Sequence, residues 1–237
     1  MSRTVGAISG INRYPVKSFG GERLEFCEIE TYGMKGDRFG AFYDETKSGW
    51  SRFITARNIP SMLTYQAAFV DGGIRVKAAD GRSFGWDEEL LDEIQSKTST
   101  TITMSRLREP HPENPDLMSV DGDSILLITD ASLKKLEAMC GQELDDRRFR
   151  GNFIVALQDE ALHEGDWIGS QLAIGDVVLQ VDGYCERCSL VMIDPETLQM
   201  NKRVLQKVKE EMDLNFGVYA SVVRTGRIGL GDEVRLV

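Results

Sequence analysis

The chain has 237 residues, 41% hydrophobic and 28% charged, with a formal net charge of −10. That balance describes a globular protein with a sizeable core, and the acidity argues against a broad nucleic-acid or anionic-membrane surface, which needs a basic face. No stretch approaches the roughly 18 apolar residues of a membrane span, the first ten residues lack the pattern of a secretory signal, and four cysteines do not make a disulfide framework in a chain of this length. The expectation is a cytoplasmic protein with neither nucleic acid nor membrane as partner.

Strand signals dominate the first hundred residues. Val5–Ile11 and Glu25–Thr31 are short apolar-rich runs, Phe39–Tyr43 leaves the turn Gly36-Asp37-Arg38, and Gly73–Lys77 leaves Asp71-Gly72. Ile102–Met104 lies in a threonine-rich, β-favouring run. Leu90, Leu91 and Ile94 recur at helical spacing and predict a short helix over Asp87–Ile94. Glu109–Met118, interrupted by Pro110, Pro112 and Pro115, reads as a connection. It divides the chain into subdomains at residues 1–108 and 109–237.

The second half opens with a continuous apolar strand, Ser124–Ile128. Thr129 or Asp130 then caps a helix running through Met139, with Leu133, Leu136 and Met139 on one face and Gly141 as its stop. Phe153–Leu157, Gln171–Ile174 and Val177–Val181 are further strands. Lys202–Met212 is an amphipathic helix, and Gly217–Val223 and Glu233–Val237 are the last strands. Many short strands, glycine turns and few helices predict a mainly β, barrel-like α+β fold.

The most chemical stretch is Tyr184-Cys185-Glu186-Arg187-Cys188, placed by the turn signal Asp182-Gly183 on a loop that ends at Asp194-Pro195. Arginine beside cysteine favours the thiolate, which is both nucleophile and metal ligand. Half a zinc site, a dithiol pair and two small buried hydrophobes all remain open. However, Cys27, Cys140, His111 and His163 make no second close pair for zinc, and Leu190–Ile193 before Asp-Pro is a poor helix start for dithiol chemistry. Lys17 and Ser18, after Tyr14-Pro15-Val16, offer an ammonium and a hydroxyl to an anion; a solvated lysine is the plainer alternative. Arg150 and Asn152 offer a guanidinium and an amide around Gly151, unless the arginines there simply pair with Asp145 and Asp146. His111 and His163 have no hydrolase motif around them, and no glycine-rich nucleotide loop is present.

Taken in order, these pieces resemble the MOSC family, the domain shared by molybdenum cofactor sulfurases and related molybdoproteins. Tyr14-Pro-Val-Lys-Ser18, Gly36-Asp-Arg38 and Ile54-Thr-Ala-Arg57 resemble its N-terminal β-barrel module. Arg150-Gly-Asn152, Asp166-Trp167, Ile174-Gly-Asp176, Arg187-Cys188, Asp194-Pro195 and Phe216-Gly-Val-Tyr219 resemble the MOSC domain itself. Within the family the pattern is similar to the mitochondrial amidoxime-reducing component and to bacterial reductases of N-hydroxylated bases.

That resemblance implies a molybdenum cofactor (molybdenum-molybdopterin), with Cys188 at the metal-ligand and catalytic position. It implies that Lys17, Ser18, Arg38, Arg150, Asn152 and Arg187 hold the pterin and its phosphate. The implied activity is an oxidoreductase acting on small N-oxygenated compounds; the alternative is a carrier of cofactor or sulfur without turnover of its own. Pyridoxal phosphate belongs to full-length sulfurases, and no aminotransferase-like domain is visible here to host it. With no ferredoxin-type cysteine run and the chain ending at Val237, the expected electron source is an external flavoprotein or ferredoxin.

Overall fold

The structure is a computed structural model describing residues 3–111, 113–159 and 162–237. Its centre is a closed seven-stranded barrel. In spatial order the strands are Phe153–Leu157, Ile125–Thr129, Asn215–Arg224, Val177–Glu186, Gln171–Ile174, Glu233–Leu236 and Arg3–Arg13, the last pairing back onto the first. Closure removes the exposed edges that an open sheet would present. Six of the seven contacts around the ring are antiparallel. The exception joins Ile125–Thr129 to Phe153–Leu157 in parallel, and such a pair needs a crossover. The helix Asp130–Cys140 supplies it.

Alternation along the strands sends Val5, Ile8, Leu127, Phe153, Val155, Leu179 and Val218 into one buried core. The first strand therefore belongs to the barrel built by the chain's second half. A separate core around Phe19, Phe42, Ile54, Tyr65, Leu90 and Ile94 fills the N-terminal part, where two small sheets pack with helix α1, Glu88–Gln95. The Asp87 carboxylate caps α1 by accepting from the Leu90 N–H.

Helix α2, Asp130–Cys140, is capped by Thr129, whose hydroxyl accepts from the Ser132 N–H, and is stopped by Gly141 at φ 71°. Helix α3, Lys202–Met212, is capped by Asn201. Leu136 of α2 and Val204 and Val208 of α3 pack with Ile128, Phe149 and Phe216 in a third cluster. No helix among the described residues is long and apolar enough to cross a membrane.

Several sequence expectations change. Val177–Val181 runs on to Glu186, because Asp182-Gly183 is a bulge where the register against Asn215–Arg224 slips, not the end of the strand. Cys185 is thus a buried strand residue and not a loop thiol. Phe39–Tyr43 is regular only at Phe42–Tyr43. Gln66–Val70, with its two alanines, was not expected; it pairs with Gly73–Lys77 across Asp71 and Gly72, both at positive φ. The proline-rich connection is irregular where described, and its Pro112 lies outside the described residues.

One ion cluster ties α1 to the neighbouring chain. Glu93 accepts from the Tyr65 hydroxyl at 2.6 Å and pairs with Arg82 at 2.8 Å and Lys97 at 3.1 Å. The hydrogen bonds from Arg82 and Tyr65, helped by Lys97, hold its carboxyl down to about 2. A carboxylate depressed in the folded state stabilises the fold above its usual pKa and loses that contribution as pH falls through the folded value. Glu93→Gln should therefore melt below wild type by a constant margin at neutral pH, narrowing steadily below the ordinary carboxylate value of 4.5. Melting curves taken across that range check it; a margin unchanged down to pH ~2.5 would remove the ion cluster from the account.

Candidate functional site

The barrel mouth and the N-terminal loops enclose a cavity of about 340 Å³. All seven residues singled out from the sequence line it: Lys17, Ser18, Arg38, Arg150, Asn152, Arg187 and Cys188. They arrive from four separate segments, and local backbone chemistry explains how each is aimed.

The first barrel strand stops at Arg13, before Pro15. Residues 14–17 then run beside residues 38–40, with Arg38 N–H donating to the Tyr14 carbonyl, Gly40 N–H to that of Pro15, and Lys17 N–H to that of Gly40. Ser18 and Arg38 take left-handed φ values of 67° and 51°, and Arg150 takes 55°. Non-glycine residues avoid this region, and such backbone is held only where surrounding structure enforces it, often at functional sites. Three of the eight such residues described face this one cavity.

Tyr14, at the head of the Tyr14–Ser18 motif, is the platform between Arg38 and Arg150. Its ring lies 4.7 Å from the Arg38 guanidinium and 4.2 Å from that of Arg150, a cation–π arrangement on both. Burial pushes its hydroxyl up to about 12, so the phenol stays neutral. Asp37 completes the frame by accepting from the Tyr14 N–H at 2.7 Å and pairing with Arg38.

The segment around Arg150 sorts its arginines. Arg147 pairs with Asp145, as the plain alternative expected. Arg148 is buried and pairs with Asp194 at 2.6 Å, fixing the Asp-Pro turn. Among the described residues Arg150 has no carboxylate partner: its Nη1 donates to the Phe19 carbonyl at 2.6 Å and its buried Nη2 is unpartnered. Desolvation, with Arg38 alongside, lowers its pKa to about 10, still charged at neutral pH. The Asn152 amide is committed to protein, its oxygen accepting from Leu126 N–H and its nitrogen donating to the Asn12 carbonyl. Asn152 shapes the wall and leaves little to offer a ligand.

Lys17 is likewise committed. Its buried ammonium donates to the carbonyls of Ser119 and Val120 at 3.1 and 3.2 Å and to the Asp121 carboxylate at 2.5 Å. Burial lowers its pKa, partly offset by Asp121.

The two cysteines differ sharply. Cys188 is exposed to the cavity at the start of a 3-10 turn, Ser189–Met192. Cys185 is 2% exposed and accepts from Arg187 Nη1 at 2.8 Å. Arg187 Nη2 donates to the Phe149 carbonyl at 2.6 Å, and its buried Nε has no partner. Sequence reading also missed Trp50, Arg57, Asp121, Asp123 and Tyr219, which line the same space. Only Arg57 and Tyr219 fall within quoted motifs; nothing local marks the others.

A cavity with orphaned guanidinium N–H groups from Arg150 and Arg187 and one accessible soft thiol suits an anionic ligand carrying a thiophilic metal. Among the described residues no group of three or more His, Cys, Asp or Glu is gathered for a metal, so a metal at Cys188 would take its remaining ligands from a cofactor. In these respects the residues fit a phosphate-bearing molybdenum-pterin group.

Comparison with known proteins agrees with this architecture. The family profile described as MOSC domain matches residues 114–235, and that of the MOSC N-terminal beta barrel domain matches residues 5–120. Mitochondrial amidoxime reducing component 2 of Macaca fascicularis is 26% identical over 285 residues, spanning 97% of this chain and 83% of that protein. The molybdenum cofactor sulfurase of Bombyx mori is 33% identical over 129 residues, which is 50% of this chain but only 15% of the sulfurase. The YuaD protein of Bacillus subtilis has the same fold, with a TM-score of 0.52 at 12% identity over 100% of this chain and 97% of its own. A closed barrel, a mouth lined by the motif residues and profile matches running almost end to end together place this chain in the MOSC family.

Proposed function

We propose that the cavity binds a molybdenum cofactor of the molybdopterin type through Cys188, and that the protein reduces small N-oxygenated compounds. The observation that carries this reading is a pair of unpartnered buried N–H groups, at Arg150 Nη2 and Arg187 Nε, on two arginines that line the same cavity as the exposed Cys188 thiol. When bound, such a centre supplies two-electron chemistry in which an N–OH group, two electrons and two protons become N–H and water.

The chain's own residues then have separable tasks. Cys188 gives a strongly donating thiolate. Arg150 and Arg187 give charge-assisted hydrogen bonds to the anionic part of the cofactor, and Arg38 sets Arg150 by sharing its aromatic platform and reaching the Arg150 carbonyl at 3.3 Å. Ser18 adds a hydroxyl. Lys17 and Asn152 act behind this layer by holding its walls. Re-reduction would come from an external flavoprotein or ferredoxin-type partner, and the similarity to amidoxime reducing components supports that arrangement.

The reading is tested by making the protein in a host that synthesises the cofactor, measuring molybdenum and pterin per chain, and assaying an N-hydroxylated base with a strong chemical reductant. Molybdenum approaching equivalence together with amine formation is expected. The similarity to sulfurases favours a second reading, a carrier of cofactor or sulfur. Full molybdenum loading with no amine product would point there, and absence of molybdenum from well-folded protein would defeat both.

A further inference from the structure

We propose that Cys185 is a positioning residue of this cavity: its sulfur pins one prong of Arg187 and so holds the guanidinium in place for an anionic ligand. The inference rests on the reading of the cavity as an anion site. Three cations at this end of the barrel are held by carboxylates, Lys17 by Asp121, Arg38 by Asp37 and Arg148 by Asp194. Those pairs are nearly neutral as units. Arg187 is instead held on its two prongs by the Cys185 sulfur at 2.8 Å and the Phe149 carbonyl at 2.6 Å.

The distinction matters because a guanidinium remains charged in proteins, so what its neighbours cancel decides how much field reaches a ligand. An aspartate at 185 would grip the same prong and set a carboxylate charge against it. An alanine would leave the field but release the prong. A serine oxygen sits closer to its own backbone than sulfur does and would bridge the gap less well. The strand holds Cys185 in place. It is buried in Val177–Glu186 against Tyr219, whose hydroxyl is raised in pKa by burial and by this cysteine. Two fixed prongs leave Arg187 Nε as the N–H without a protein partner.

The test uses the full chain without cofactor, followed by nitrogen-15 NMR of the Arg187 side chain, assigned with Arg187→Lys, and by pyrophosphate titration. In wild type, rotation of the Arg187 guanidinium should be hindered and its Nε signal should shift on adding pyrophosphate. Cys185→Ala should free the rotation and weaken pyrophosphate about tenfold, with Cys185→Ser intermediate. Cys185→Asp should keep the rotation hindered, because its carboxylate grips the same prong. Melting curves report folding, and if Cys185→Ala does not fold, the serine and aspartate variants carry the test. Unchanged hindered rotation in both the alanine and serine variants overturns the proposal, as does wild-type pyrophosphate affinity in Cys185→Ala. Hindered Arg187 and bound pyrophosphate in a wild-type chain that never loads molybdenum would uphold this inference while ending the molybdenum reading.

Discussion

Cys188→Ser is expected to abolish reduction of an N-hydroxylated base, by more than roughly a hundredfold, while leaving the melting temperature close to that of wild type. Changing even a partner behind a metal ligand commonly costs ten- to a hundredfold, and this substitution removes the proposed ligand itself. The fold should not register it. Cys188 is exposed, its side chain makes no capping hydrogen bond to the turn it begins, and serine is nearly its size. Molybdenum and pterin can still be retained through the guanidinium groups, so the sharper readout is the metal-edge X-ray spectrum, which should lose one sulfur neighbour. A Cys188→Ser protein with an unchanged spectrum and wild-type turnover would refute the assignment. The contrast with Cys185 adds a control: substitutions there should disturb Arg187 first and leave the metal–sulfur signal in whatever fraction of chains stays loaded.

Much of this site was legible because its chemistry is written in short local motifs. Tyr14-Pro-Val-Lys-Ser18 marks a strand end followed by a cation, and Arg187-Cys188 marks a thiol beside a guanidinium. These pieces meet because the first strand crosses to the second half of the chain, with Gly6 opposite Leu157 and Thr4 opposite Arg235. No periodicity in Val5–Ile11 reports that partner, since alternation fixes which face is buried and not which strand lies alongside.

The backbone at Ser18, Arg38 and Arg150 was equally hidden. Glycine advertises a left-handed turn; serine and arginine do not. The placement of Cys185 failed for a related reason. Asp-Gly signals a change in backbone direction, and both a hairpin and a bulge satisfy it. Which one occurs was decided by Asn215–Arg224, which keeps pairing past the bulge as far as Glu186. The helices were read more closely because their caps are local: Thr129 and Gly141 bracket α2 by side-chain and backbone geometry contained within the segment.

Lys17 is where the motif and the structure ask for different experiments. As a ligand contact, its loss would weaken cofactor binding and spare the empty protein. In the structure its three N–H groups go to the Ser119 carbonyl, the Val120 carbonyl and Asp121, and its ammonium lies 4.5 Å from the centre of the Phe53 ring. Lys17→Met keeps the apolar stem and removes all of these at once. Two carbonyls at the start of the second half then lose a charged donor in a site where the lysine itself is only 4% exposed. Hydrogen bonds to charged groups contribute about 1.5–3 kcal/mol each, and breaking a buried ionic contact costs about 3–5 kcal/mol. For a chain of this size that is a fall of roughly 6–20 °C in melting temperature, measured without any ligand. Asp121→Asn should cost less, because the asparagine keeps an acceptor for the ammonium and the two carbonyl bonds survive the change. The double variant should melt where Lys17→Met does, since the second change removes a partner already lost. A cofactor-free Lys17→Met protein melting within about 2 °C of wild type would return Lys17 to the role of a ligand contact and would detach residues 119–121 from the N-terminal loop that this bond anchors.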